Sequence, residues 1–138
     1  MMRRLLVGVL CGLAIAAVAA PQQQQQQQQR SAFDAGRMYR HGDGVTRDSV
    51  RAFALIEQAS RQGNCAAMFT LSNMLEAGEG TRRDRAASHK WLETAAQLEC
   101  PQALQQLALY LQDGLMGYDA DRVRAAQLMR LAAHAVKH

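Results

Sequence analysis

From about Ser31 onward, apolar and small residues recur with helical spacing, and the whole pattern repeats every 36 residues. Counting back from Gly42, Gly78 and Gly114, position −7 holds Ala35, Leu71 and Leu107, and position −4 holds Met38, Met74 and Tyr110. Position −3 holds Tyr39, Leu75 and Leu111, and position −11 holds Ser31, Ala67 and Ala103. Spacings of three, four and seven place these residues on one face of a helix. This is helix A of each unit. Position −6 holds Gly36, Ser72 and Ala108, all small. Glycine inside a helix costs about 1 kcal/mol relative to alanine, so Gly36 predicts a close approach of two backbones.

A second helix, B, follows each glycine turn. Asp48, Asp84 and Asp121 sit where an acidic side chain accepts from the free N–H groups of a helix start. Counting from each Asp, position +4 holds Ala52, Ser88 and Ala125, and positions +7 and +8 hold Leu55-Ile56, Trp91-Leu92 and Leu128-Met129. Positions +11 and +12 hold Ala59-Ser60, Ala95-Ala96 and Ala132-Ala133. Large residues thus alternate with small ones, as antiparallel packing of B on A requires. Gly63 ends the first helix B, and Pro101 opens the third helix A with Cys100 at its cap. No stretch alternates with period two over a strand's length. The expected fold is all-α.

The turn Gly42-Asp43-Gly44-Val45-Thr46-Arg47-Asp48 returns as Gly78-Glu79-Gly80-Thr81-Arg82-Arg83-Asp84. A looser copy runs from Gly114 to Asp121 with one inserted residue. Three units result: residues 31–66, 67–102 and 103–138. Such a period marks helical hairpins that bury their apolar faces by stacking. Stacking creates an extended surface and no obligatory reaction centre.

The joint spacing of Ala35-Gly36, Tyr39, Gly42-Asp43-Gly44-Val45, Asp48, Arg51-Ala52, Ala59 and Gly63 resembles that of Sel1-like repeats, relatives of the tetratricopeptide repeat. Unit two adds Leu71, Gly78-Glu79-Gly80, Asp84, Trp91 and Ala95-Ala96, and unit three Leu107, Gly114, Asp121, Arg124-Ala125 and Ala132-Ala133. The chain departs from the pattern where Ala87 replaces a basic residue, where Glu99 replaces a closing glycine, and around Gly117. The resemblance, to exported bacterial members in particular, implies a right-handed α-α superhelix whose A helices line the concave side. It also implies a non-catalytic module that holds a protein or peptide segment in that groove. Arg37, Arg40, Thr70, Asn73, Glu76, Gln105, Gln106 and Gln112 are the helix A residues outside the core stripe and are the candidate contacts. The outer side of the third helix B, around Leu128 and Leu131, is a second open surface for a partner or another copy. Some cysteine-rich members of this family bind or slowly hydrolyse penicillin-type substrates, which makes that activity the alternative. Those members carry a cysteine pair in every unit, whereas this chain has two cysteines beyond residue 19 and no Ser-x-x-Lys motif.

The N-terminus changes the picture of location. Met1-Met2-Arg3-Arg4, the apolar run Leu5 to Val18 and Ala17-Val18-Ala19 read as a signal peptide over residues 1–19. The expectation is an exported protein, periplasmic or secreted, with no stable membrane span once the signal is cleaved. A retained anchor is the rival. Residues 20–30, mostly the eight glutamines Gln22 to Gln29, read as a disordered linker. Loss of Arg3 and Arg4 would leave 14 basic against 12 acidic side chains, which points away from nucleic acid.

Candidate chemistry is sparse. Cys65 and Cys100 lie 35 residues apart, and in an exported chain they invite a disulfide. Equivalent points on stacked helices lie about 8–10 Å apart, too far for that bond. A disulfide and two free or intermolecular thiols therefore both remain open. His134 and His138 share a helical spacing but lack further ligands, so neither a metal nor another cofactor is expected. His41 and His89 read as solvated. The Arg82-Arg83-Asp84-Arg85 run reads as a solvated turn, with contact to an acidic partner as the alternative. Trp91 and the Met and Leu stripes read as core.

Overall fold

The computed structural model describes residues 10–137 and contains six helices: α1 Leu10–His41, α2 Ser49–Arg61, α3 Cys65–Ala77, α4 Arg85–Gln97, α5 Pro101–Asp113 and α6 Arg122–Ala135. No strand occurs among the described residues. Helices α1, α3 and α5 are the A helices, and α2, α4 and α6 the B helices. Each A packs on its own B, and α2 and α4 pack on the A helix of the following unit. The result is an α-α superhelix of three hairpins.

One local design closes every hairpin. Gly42, Gly78 and Gly114 stop the A helices at φ 77°, 69° and 65°. Asp48, Asp84 and Asp121 accept on their side chains from the N–H groups of Arg51, Ala87 and Arg124. The backbone N–H of the same three aspartates donates to Tyr39, Leu75 and Leu111 O at 2.9, 2.9 and 2.7 Å. All three acceptors occupy position −3, so the inserted residue of the third turn is looped out without disturbing the closure.

Most of the expected stripe residues form two core clusters, whereas Met38 on α1 and Met129 on α6, expected in the core, are exposed. Leu128, expected to be part of an open outer surface, packs instead on the core. Ile56, Leu71, Met74 and Leu75 anchor the one between units one and two; Leu92, Leu104, Leu107 and Leu111 anchor the other. Trp91 is half-buried and packs against both, so it mortars the two together. Gly36 answers the expected close approach: a Cβ there would stand 2.6 Å from Ile56 Cγ1. Its equivalent Ser72 turns the same proximity into a bond, because buried Ser88 donates its hydroxyl to Ser72 O at 2.7 Å.

Cys65 and Cys100 are joined in a disulfide with a Cα separation of 5.6 Å. The wider spacing expected of stacked helices fails for a positional reason. Cys65 is the first residue of α3, whereas Cys100 is the N-cap of α5, one place earlier in its unit. The two A helices also approach each other directly.

Residues 20–30 do not form a disordered linker here: α1 continues through Gln22 to Gln29. Glutamine is a good helix former, and extending a helix already nucleated within the array requires no new nucleus. Gln29 further anchors the segment by donating from Nε2 to Gln62 O, at the end of α2, at 2.6 Å. Of the predicted signal peptide, residues 1–9 lie outside the described residues. Among the described residues no helix is long and apolar enough to cross a membrane.

Candidate partner-binding face

The A helices carry their solvent-facing residues in rows set by the repeat. Position −9 holds Phe33, Phe69 and Gln105, position −5 holds Arg37, Asn73 and Leu109, and position −2 holds Arg40, Glu76 and Gln112. Positions −5 and −2 lie opposite the core stripe, position −9 meets the core clusters through Phe33 and Phe69, and position −8, with Thr70 and Gln106, lies beside them. On this side α3 and α5 touch directly, and on the other α4 and α6 are bridged by the Arg124–Glu93 pair at 2.7 Å.

The candidate residues divide into two groups. Arg37, Gln105 and Gln112 are exposed, and Thr70, Asn73 and Gln106 are half-buried. Thr70 turns its hydroxyl back to Ala66 O at 2.8 Å. Arg40 and Glu76 are engaged inside the molecule. Arg40 grips the Glu79 carboxylate through Nε and Nη2, at 3.0 and 2.9 Å, and so ties α1 to the turn of unit two. Glu76 accepts from Arg83 at 2.6 Å and from Arg85 at 3.0 Å. The basic run Arg82 to Arg85 is exposed, as expected of a solvated turn, and two of its three arginines also pair with Glu76, tying α3 to the start of α4.

These pairs set the local electrostatics. The Arg40 hydrogen bonds hold the Glu79 carboxyl below its usual range against the opposing effect of burial, with the charges of Arg40, Arg47 and His41 adding to the shift. Burial pushes Glu76 up, yet the bonds and charges of Arg83 and Arg85 together outweigh it and leave this carboxyl depressed as well.

Sequence reasoning missed three apolar members of the face. Phe33 and Phe69 are half-buried at position −9, where they also pack against the core clusters, and Leu109 is exposed at −5. The Arg37 guanidinium lies 5.9 Å from the Phe33 ring centroid. The signal was present, because these residues occupy the same rows as the polar candidates. Choosing polar residues alone hid them.

His89 also departs from its expected solvated state. Its ring stacks on Tyr118 with centroids 4.1 Å apart, and Nε2 donates to Met116 O at 2.8 Å. It therefore seats the turn of unit three on α4. Tyr118 stacks in turn near Tyr110, and burial pushes its phenol up to about 12. His41 and His134 are exposed, and His138 lies outside the described residues. Among the described residues no three His, Cys, Asp or Glu side chains gather as metal ligands.

Comparison with known proteins fits this geometry. A Sel1 repeat protein from Oxalobacter formigenes superposes with a TM-score of 0.73 at 29% identity, over 78% of this chain and 43% of the other. The structure c5321, a protective antigen present in uropathogenic Escherichia coli strains displaying an SLR fold, gives 0.69 at 27% identity, over 83% and 24%. Chitin synthase regulator SKT5 of Saccharomyces cerevisiae is 35% identical over 74 residues, which are 54% of this chain and 11% of that protein. The chain thus spans less than half the length of each of these relatives. The Sel1 repeat family model matches residues 29–64, 65–100 and 101–135, which places its unit boundaries at the first residues of α3 and α5. With three consecutive matches over most of the chain and the same hairpin closure in each, this chain belongs to the Sel1 repeat family.

Proposed function

We propose that the chain is an exported, non-catalytic adaptor of the cell envelope that holds a segment of a partner protein along the faces of α1, α3 and α5. The observation carrying this reading is the composition of that face. Exposed Leu109 shares that face with exposed Arg37, Gln105 and Gln112, and half-buried Phe33 and Phe69 pack on the core while keeping part of their surface open. Apolar anchors within a polar surround suit an extended or helical peptide, where a few buried side chains supply affinity and the rim supplies orientation. A regulator among the relatives is in keeping with a binding role.

Affinity capture from an envelope extract tests the reading when paired with Arg37→Glu/Leu109→Glu. Neither residue belongs to the core, so the variant keeps its fold and its thermal midpoint. The expected result is a partner held by the wild type and lost from the double variant. Capture unaffected by the double substitution would remove the A-helix face from consideration.

A further inference from the structure

The corners that lead from α2 to α3 and from α4 to α5 share one backbone pattern and differ in what holds it. At the first, Gly63 N–H donates to Ser60 O and Asn64 N–H to Ala59 O, at 3.0 and 3.1 Å. At the second, Glu99 N–H donates to Ala96 O and Cys100 N–H to Ala95 O, both at 3.0 Å. Gly63 takes φ 92°, and nothing lies within 4 Å of a Cβ built there, so the left-handed backbone alone calls for glycine. Glu99 holds φ 56° with a side chain, a conformation that non-glycine residues keep only where their surroundings enforce it. The helix caps differ too. Asn64 accepts from Ala67 N–H at 2.9 Å and so caps α3, and Asp48, Asp84 and Asp121 cap α2, α4 and α6 in the same way. Cys100 makes no side-chain cap for α5; its sulfur is bonded to Cys65 instead.

We infer that the corner between α4 and α5 is redox-conditional: the Cys65–Cys100 bond stands in for the missing glycine and cap, and its reduction by a dithiol loosens the start of α5. The dithiol supplies two electrons and two protons, the S–S bond breaks to leave two thiols, and the dithiol closes to its own disulfide. Half-buried Cys65 gives the reagent its access, since Cys100 is 1% exposed. Once released, the corner opens to relieve the left-handed backbone of Glu99, and no side-chain cap opposes the opening. Such local opening does not require the array to unfold. Gln105 and Gln106, candidate partner contacts, begin the second turn of α5, so the opening reaches the edge of the A-helix face. That consequence rests on the function proposed above, whereas the redox response of the corner does not.

Amide exchange resolved by NMR tests the inference on the full chain with no partner present. The N–H groups of Glu99, Cys100 and Leu104 report on the second corner, and those of Gly63, Asn64 and Met68 are their counterparts at the first. With dithiothreitol, protection at the second corner is expected to fall about tenfold to a hundredfold, the combined range of left-handed strain and a missing cap. The first corner is expected to keep its protection. Cys65→Ala/Glu99→Gly/Cys100→Asn transplants the first corner into the second and is expected to hold protection there with and without the reagent. Unchanged exchange at the second corner on reduction, an equal loss at both corners, or a triple variant as open as the reduced wild type would each overturn the inference.

Discussion

The two junctions between stacked units solve one geometric problem with different chemistry. Between units one and two, Gly80 places its backbone directly on the carbonyl of Ser49, beside Phe53, and Arg40 locks the turn through Glu79. Between units two and three, Gly117 takes the corresponding place over Arg85 and His89, positions +1 and +5 of α4 just as Ser49 and Phe53 are of α2. There the turn is one residue longer, and Met116 takes φ 55° to accommodate it. The Arg40–Glu79 pair is replaced by Arg124–Glu93, and His89 bonding, tyrosine stacking and a disulfide from α3 to the cap of α5 are added. The stacking register is therefore the shared property, and the side chains that hold it are interchangeable.

The largest expected effect breaks the first junction. Gly80→Ala places a Cβ into the Ser49 carbonyl at φ 73° and is expected to cost about 2–5 kcal/mol, the sum of left-handed backbone strain and overpacking. Gly44→Ala, at φ 72° with nothing within 4 Å, should cost only about 1–2 kcal/mol. Urea unfolding of the two variants isolates the junction's share, and equal costs would refute the interlock.

The second junction is probed by Cys65→Ser/Cys100→Ser. Loss of a cross-link of this loop length is expected to cost about 2–4 kcal/mol, read by urea unfolding against the oxidised wild type. Reducing agent should lower the wild type to the level of the variant and leave the variant unchanged.

The smallest effects separate the junctions by pH. The folded pKa of Glu79 lies below the usual 4.5, so its stabilisation is complete above that value and disappears as pH falls through the depressed one. Arg40→Met should flatten the acid limb of the stability curve below about pH 4.5. Tyr118 behaves in the opposite sense. Its folded pKa of about 12 exceeds the usual 10.0, so stability holds below pH 10 and declines as pH rises toward 12. Tyr118→Phe should flatten that alkaline limb alone. Its hydroxyl is buried with no partner, so the substitution should cost little at neutral pH.

Much of the hairpin was legible in the residues themselves. The three cap aspartates, the glycine stops and the small row at position −6 were assigned from spacing and occur as expected, and so does most of the core stripe, but Met38 and Met129, read as part of it, are exposed. The face opposite the core was legible as rows, but its availability was not. Arg40 and Glu76 look like open groove residues by periodicity, and only the neighbouring turn and the start of α4 reveal their partners. His89 likewise lies beside Lys90 in a polar stretch, and its role depends on a turn 27 residues away.

The sequence by itself determined the repeating hairpin, because caps, turns and amphipathic stripes act within a few residues and recur at fixed intervals. It also determined that the units must stack, since each leaves an apolar face that water disfavours. Tertiary structure alone decided how the units meet: which arginines pair, that Cys65 reaches Cys100, and that Met129 stays uncovered while Ile56 and Leu92 do not. These outcomes depend on shifts of a few ångströms between helices distant in the chain, which no local pattern encodes.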